Sequence, residues 1–200
     1  MSEMQFGCQT YTWEMQLDAR PVSLWQMCDA MADAGYAGVE FTSVTGAAWL
    51  RRPERVAQEL AKRHLRLAAV AAVRAGFTDP DGLEDDLKVV EQVLGLLRHF
   101  PGAVLAFGGA AHAETHNWKA HLDTAITFYR AAGALAGAAG VPCAVHPHSH
   151  HGSLLETQAQ YDYLFKHLPE EIGWCPDTGH IIRGGQDLFT CLKRYASRIR

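Results

Sequence analysis

Short apolar runs alternate with longer segments of helical periodicity along the whole chain. The runs are Gln5–Thr10, Gly38–Thr42, Leu65–Val73, Ala103–Phe107, Val141–His146 and Glu171–Cys175. Each is brief, mostly apolar and bounded by Gly, Pro or polar residues, the pattern of strands buried in a parallel sheet. The first predicted helix covers Pro21–Ala34, with Leu24, Met27, Cys28 and Met31 on one stripe, Pro21 at its first position and Gly35 as its stop. Further helices are predicted over Pro53–His64, Leu83–Arg98, Trp118–Ala139, Thr157–Leu168 and Asp187–Ala196. Asp79 and Asp81 lie on the N-terminal side of the third, where the helix dipole favours them. Thr157 suits the N-cap of the fifth.

Repeated β–α units of roughly 30 residues imply parallel strands covered by helices. An open doubly wound sheet and a closed barrel both meet that description. No GxGxxG follows the first run and no GxxxxGK[ST] occurs, which removes the usual nucleotide-binding open sheets. In a barrel, chemistry gathers where strands end. The unusual polar residues fall there: Glu40 at the end of the second run, His146 and His148 at the fifth, Asp177 and His180 after the sixth. The fold read from the sequence is therefore α/β, a (β/α)8 TIM barrel of which this chain covers six units. Eight units need about 250 residues. The expectation is one domain over residues 1–200 that lacks the seventh and eighth units, as in a fragment of a longer protein.

Composition narrows the function. The chain has 200 residues, 48% hydrophobic and 20% charged, enough to bury a core. Its net charge is -4, without basic runs, so nucleic acid and anionic membrane surfaces are not expected partners. The first residues carry neither a basic nor an apolar signal region, and no run approaches the roughly 18 apolar residues of a membrane span. Five cysteines without a CxxC pair fit reduced thiols. The expectation is a soluble cytoplasmic protein, in which helices rich in Ala and Gly permit homo-oligomers without requiring them.

Two polar clusters carry candidate chemistry. In "PDTGH", Asp177 and His180 stand three residues apart just beyond an apolar run. A carboxylate and an imidazole held there can bind a divalent cation or a substrate hydroxyl; the competing reading is an Asx-turn that closes the strand. In "HPHSHHG", alternation sends His146 and His148 to one side, and Pro147 stiffens the exit. Imidazoles there suit proton transfer as well as metal ligation. His150 and His151 are expected at a solvated loop tip. Glu156, at the entrance to the fifth helix, either complements the dipole or folds back as a hard oxygen ligand beside Asp177. Glu40 is a pocket carboxylate or an ion-pair partner. Tyr11 and Trp13 after the first run can stack on a substrate face or pack as a lid. His112, Glu114 and His116 read as a substrate-side loop.

With these residues in place the sequence resembles the sugar phosphate isomerase/epimerase superfamily of xylose isomerase-like TIM barrels, and within it the inosose dehydratase-like branch. The resemblance is carried by "FGCQTYTW", "GYAGVEF", "GVPCAVHPHSHHGSLLET" and "GWCPDTGHIIRGGQDLFTCLKRYASRI". It implies a divalent cation, Mn²⁺ before Mg²⁺, Co²⁺ or Zn²⁺, and a sugar or cyclitol as the small-molecule partner. The ligands it implies are a Glu near the end of strand 5, the Asp of the DTGH-like motif, a His on strand 7 and a carboxylate on strand 8. Asp177 matches directly. For strand 5, position points to His146 and ligand type to Glu156; Glu156 is taken as the ligand, leaving His146 and His148 to acid–base work. Tyr11, Trp13, Glu40 and His180 are then substrate-binding. The activity so implied is isomerisation, epimerisation or dehydration by proton abstraction next to a carbonyl. The alternative is a non-catalytic barrel subunit that keeps a sugar pocket. Metal-assisted hydrolysis of nucleic acid, a further reading for such barrels, is opposed by the acidic balance.

Overall fold

The computed structural model describes residues 4–16, 21–150 and 152–200. The six apolar runs form six strands that lie side by side in chain order, every neighbouring pair parallel. They are β1 (Gly7–Gln9), β2 (Gly38–Thr42), β3 (Arg66–Ala72), β4 (Val104–Gly108), β5 (Cys143–His146) and β6 (Ile172–Trp174). Ile199 adds a parallel bridge to Trp174 on the outer side of β6, where a seventh strand would pair. Parallel neighbours in sequence order, each joined through helix, are the barrel arrangement.

The helices are α1 (Tyr11–Glu14), α2 (Leu24–Asp33), α3 (Pro53–Ala61), α4 (Leu83–Leu97), α5 (Trp118–Ala138), α6 (Gln158–His167), α7 (Thr178–Arg183) and α8 (Leu188–Arg194), followed by a 3-10 turn at Ala196–Arg198. Alternate strand residues face them. Phe107 of β4 packs on Phe128 and Tyr129 of α5, and Trp174 of β6 on Tyr161 and Phe165 of α6. All six side chains are buried. The opposite set, Ala106, Ala144 and Gly173, is small, and its next members along β5 and β6 are His146 and Cys175.

Local chemistry shifts some boundaries. α2 begins at Leu24 and not at Pro21, because Ser23 forms a capping box with Gln26: its Oγ accepts from the Gln26 amide and its own amide donates to Gln26 Oε1 at 3.0 Å. Thr157 caps α6 in the same way with Gln160, as expected. The second predicted helix, expected over Pro53–His64, is α3 and ends at Ala61, because His64 takes a left-handed φ of 54° where the chain turns back to the sheet. Two short helices, α1 and α7, were not legible as periodic segments. Among the described residues no helix is long and apolar enough to cross a membrane, and all five cysteines are free thiols.

Candidate active site at the C-terminal ends of the strands

The β5 exit is held rigidly before any chemistry begins. The segment after His146 runs against the β4 exit: Leu154 donates to Ala110 at 2.9 Å, His112 to Gly152 at 2.7 Å, and Ala111 bridges Ser153. The Ser153 hydroxyl donates to the His148 carbonyl. Pro147 adds its fixed φ. His146 and His148 therefore emerge on one side of a braced strand end, with their rings edge-to-face at 4.8 Å.

Asp177 arrives from β6 with its two oxygens divided between structure and site. Oδ1 accepts the His180 amide at 2.8 Å and caps α7. Oδ2 is left facing two imidazoles, His146 Nε2 at 3.9 Å and His180 Nε2 at 4.0 Å. Each ring is pinned from behind. His146 Nδ1 lies 3.2 Å from the Cys175 carbonyl, and His180 Nδ1 lies 3.1 Å from the Ser149 amide and 2.9 Å from its hydroxyl. Ser149 is itself buried.

Around this core stand His148 and His150, 5.3 Å and 4.6 Å from the His180 ring. Burial, and then the neighbouring His146, His180 and His150, pushes the His148 imidazole down to about 3. Burial lowers His180 as well, against the pull of the Asp177 carboxylate. Like-charged imidazolium rings this close repel one another, which adds to burial in favouring the neutral rings of His148 and His180.

Glu40 faces the same space from β2. Gln9 Nε2 donates to its Oε1 at 2.6 Å across the paired β1 and β2 register. The Cys175 thiol is pushed up to about 11, first by burial, then by the negative charges of Glu40 and Asp177. Both carboxylates thus lie near the Cys175 thiol.

Of the residues singled out from sequence, His146, His148, Asp177 and His180 come together, with Glu40 opposite. Tyr11 and Trp13 sit on α1 at the end of β1; Tyr11 is exposed, and Trp13 packs against the core. Glu156 has its main chain engaged, its amide by Gln160 and its carbonyl by Gln186 at 2.7 Å. Among the described residues no hydrogen bond or ion pair joins its carboxylate to the histidine–aspartate group. His150 is exposed but not a free loop tip, since its ring packs on the cluster; His151 lies outside the described residues. His112 is half-buried and stacks on His121 at 3.5 Å.

Sequence reasoning missed Gln9, Ser149, His150 and Glu14. Glu14 accepts hydroxyl hydrogen bonds from buried Thr10 and from Thr42, the latter at 2.9 Å, which ties α1 to the ends of β1 and β2. Alternation continued from His146 through His148 would have reached His150, and the β1–β2 pairing would have brought Gln9 to Glu40.

The fit of a divalent cation rests on the donors present. Asp177 Oδ2, the oxygen left over from the cap, is a hard donor that a divalent cation accepts. Among the described residues no group of three or more His, Cys, Asp or Glu side chains is assembled to hold a metal ion. The residues fit part of a metal site.

Residues 28–200 match the family described as xylose isomerase-like TIM barrel. No curated protein matches the sequence. Similar solved structures include the IOLI protein with a bound zinc atom, at TM-score 0.80 and 13% identity over 98% of this chain and 70% of that one. D-psicose 3-epimerase with D-tagatose from Clostridium cellulolyticum H10 aligns at TM-score 0.79 and 13% identity, over 98% and 71% of the two chains. The 3-keto-D-glucoside 4-epimerase YcjR from E. coli aligns at TM-score 0.77 and 15% identity, over 98% and 77%. Identities this low establish a shared fold, and no more.

Proposed function

This chain belongs to the xylose isomerase-like TIM barrel family, and from that premise we propose that it serves an isomerase, epimerase or dehydratase acting on a sugar, keto-sugar or cyclitol. The reaction abstracts a proton next to a carbonyl. One observation carries the reading: His146 Nε2 and Asp177 Oδ2 face each other at 3.9 Å at the barrel mouth. An imidazole beside a carboxylate is the pairing a proton shuttle needs, because the carboxylate stabilises the ring when it is protonated. His148 is the second proton-handling group. Glu40, fixed by Gln9, and His180 would bind substrate hydroxyls, with Tyr11 and Trp13 at the rim. The sugar-processing activities named for the two epimerases of the same fold support this substrate class.

We also propose a divalent cation, Mn²⁺ before Mg²⁺, Co²⁺ or Zn²⁺, with Asp177 and Glu156 as its ligands from this chain. The zinc in the IOLI structure supports a metal, though not its identity. When bound, such an ion acts as a Lewis acid on a carbonyl or hydroxyl oxygen. The protein would act in the cytoplasm.

The test is hydrogen exchange. The chain is incubated in D₂O with D-tagatose, D-fructose, a 3-keto-glucoside and an inosose, with and without Mn²⁺, and deuterium uptake next to each carbonyl is followed by proton NMR. Exchange with at least one ketose is expected, and its absence throughout would refute the enzyme reading. The second reading is a binding module that keeps the pocket. It is favoured by the lack of a three-donor metal group among the described residues, and it predicts ketose binding by calorimetry with no exchange.

A further inference from the structure

His146 and His180 present the same atom, Nε2, to the same oxygen of Asp177, yet opposite main-chain groups hold them from behind. A carbonyl oxygen can only accept a hydrogen bond, so the Cys175 carbonyl, 3.2 Å from His146 Nδ1, requires a proton on that nitrogen. The neutral ring then has a bare lone pair at Nε2. A backbone amide can only donate, so the Ser149 amide, 3.1 Å from His180 Nδ1, requires that nitrogen to be bare. The neutral His180 ring then carries its proton at Nε2. Neither group can rotate to reverse its role, as a hydroxyl could. The Ser149 hydroxyl, 2.9 Å from the same nitrogen, adapts to whatever the amide sets.

We infer that the main chain locks His146 and His180 in opposite tautomers, making His146 the proton acceptor and His180 the neutral N–H donor of one proton-transfer step, with Ser149 the positioning residue behind His180. This rests on the reaction proposed above and assigns its roles. The C–H bond next to the substrate carbonyl breaks, and its proton goes to His146 Nε2. The electron pair forms a carbon–carbon double bond while the carbonyl π pair moves onto oxygen. His180 Nε2–H hydrogen-bonds that oxygen and keeps its proton, because losing it would leave an imidazolate. The His146 imidazolium faces Asp177 Oδ2. It then returns the proton to the carbon it left, to the former carbonyl carbon as the neighbouring hydroxyl passes its own proton to the enolate oxygen, or to a hydroxide leaving the next carbon as water. A neutral imidazole suits the donor role because its N–H polarises a carbonyl without a competing proton transfer. Among the described residues no hydrogen bond fixes a tautomer of His148, so the donor role falls to His180 and not to His148.

The experiment is nitrogen-15 NMR of the histidine-labelled chain at neutral pH without substrate, with His146→Gln and His180→Gln used to assign the rings. Expected are a protonated Nδ1 and bare Nε2 in His146, and the reverse in His180. Ser149→Ala keeps the amide and is expected to leave the His180 tautomer unchanged. A protonated Nδ1 in His180, a bare Nδ1 in His146, or a tautomer switch in Ser149→Ala would overturn the inference while leaving the proposed reaction standing. In the exchange assay His180→Phe is expected to lose about 10²–10³-fold, and His180→Gln, which keeps an N–H, less. Unchanged exchange in His180→Phe also overturns it. If the tautomers are as drawn but no ketose exchanges, the proposed reaction fails, and the roles with it.

Discussion

The main-chain nitrogen of His148 lies 2.9 Å from the point where a side chain on Gly109 would begin. Pro147 Cα and the His146 carbonyl oxygen are nearly as close, at 3.2 and 3.3 Å. All three are backbone atoms of the segment that presents the site histidines, and none can swing aside. Gly109→Ala is therefore expected to displace that segment and to destabilise the fold by about 1–3 kcal/mol. Gly137→Ala on α5 is the control, because nothing lies within 4 Å of its added carbon, and it should gain about 0.5–1 kcal/mol. Urea denaturation of the two variants checks the contrast, and equal stabilities would contradict it.

Asp177 combines a cap and a site oxygen, and the two can be separated. Asn caps helices about as well as Asp, so Asp177→Asn keeps the bond to the His180 amide while removing the charge that faces His146 and His180. It should unfold near the wild-type midpoint and lose ketose exchange by about 100-fold or more, the scale of an essential proton-handling group. Asp177→Ala should lose exchange equally and in addition about 1 kcal/mol of stability. Retained exchange in Asp177→Asn would remove the carboxylate from the site.

The elements that were legible in the sequence are those whose signal is local and repeated. β2 is bounded as the apolar run Gly38–Thr42 predicts, and α4 and α5 match their stripes to within one residue. α7 was not legible because six residues give no period; its signal was the cap, Asp177, read from sequence only as a ligand or a turn. The site followed the same division. Strand alternation brought His146 and His148 to one side, and strand-end placement selected Asp177, His180 and Glu40. What joins them is Ser149, which lies between His148 and His150 and acts through an amide that every residue but proline possesses. Such a contact leaves no mark on residue type. Gln9 was hidden for another reason, since its partner Glu40 depends on the β1–β2 register and not on any local pattern.

The acid side of the stability curve has a contributor far from the site. Glu59 on α3 accepts from Arg63 at 2.8 Å and from Arg55 and Lys62 at 2.9 Å, while Arg63 reaches across to Asp29 of α2 at 2.6 Å. The hydrogen bond from Arg63 is the leading cause that holds the Glu59 carboxyl down at about 2 against an ordinary value of 4.5. A depressed carboxyl stabilises the fold fully above its unfolded value and loses that contribution as pH falls through the folded one. Glu59→Gln should therefore be less stable than wild type at pH 7, with the difference shrinking between pH 4.5 and 2. Stability curves taken across that window check it, and a constant difference would count against the network.

His148 acts in the same direction but in a higher window. Its folded value of about 3 lies below the ordinary 6.5 of an imidazole, chiefly because the ring is buried and then because three other histidines surround it. Above pH 6.5 the ring is neutral in both states and contributes no pH dependence. Below it the unfolded chain takes up a proton that the folded chain refuses, so stability falls as pH drops from 6.5 towards 3. A single group can steepen that fall by at most about 1.4 kcal/mol per pH unit. His180 is lowered for the same leading reason and adds to the slope. His148→Gln removes one titrating ring and should flatten the decline between pH 6.5 and 4.5 while leaving the region above pH 7 parallel to wild type. Urea midpoints at half-unit steps of pH decide the matter: an unchanged slope would mean that the His148 ring reaches solvent in the folded protein and is not packed between His146 and His180.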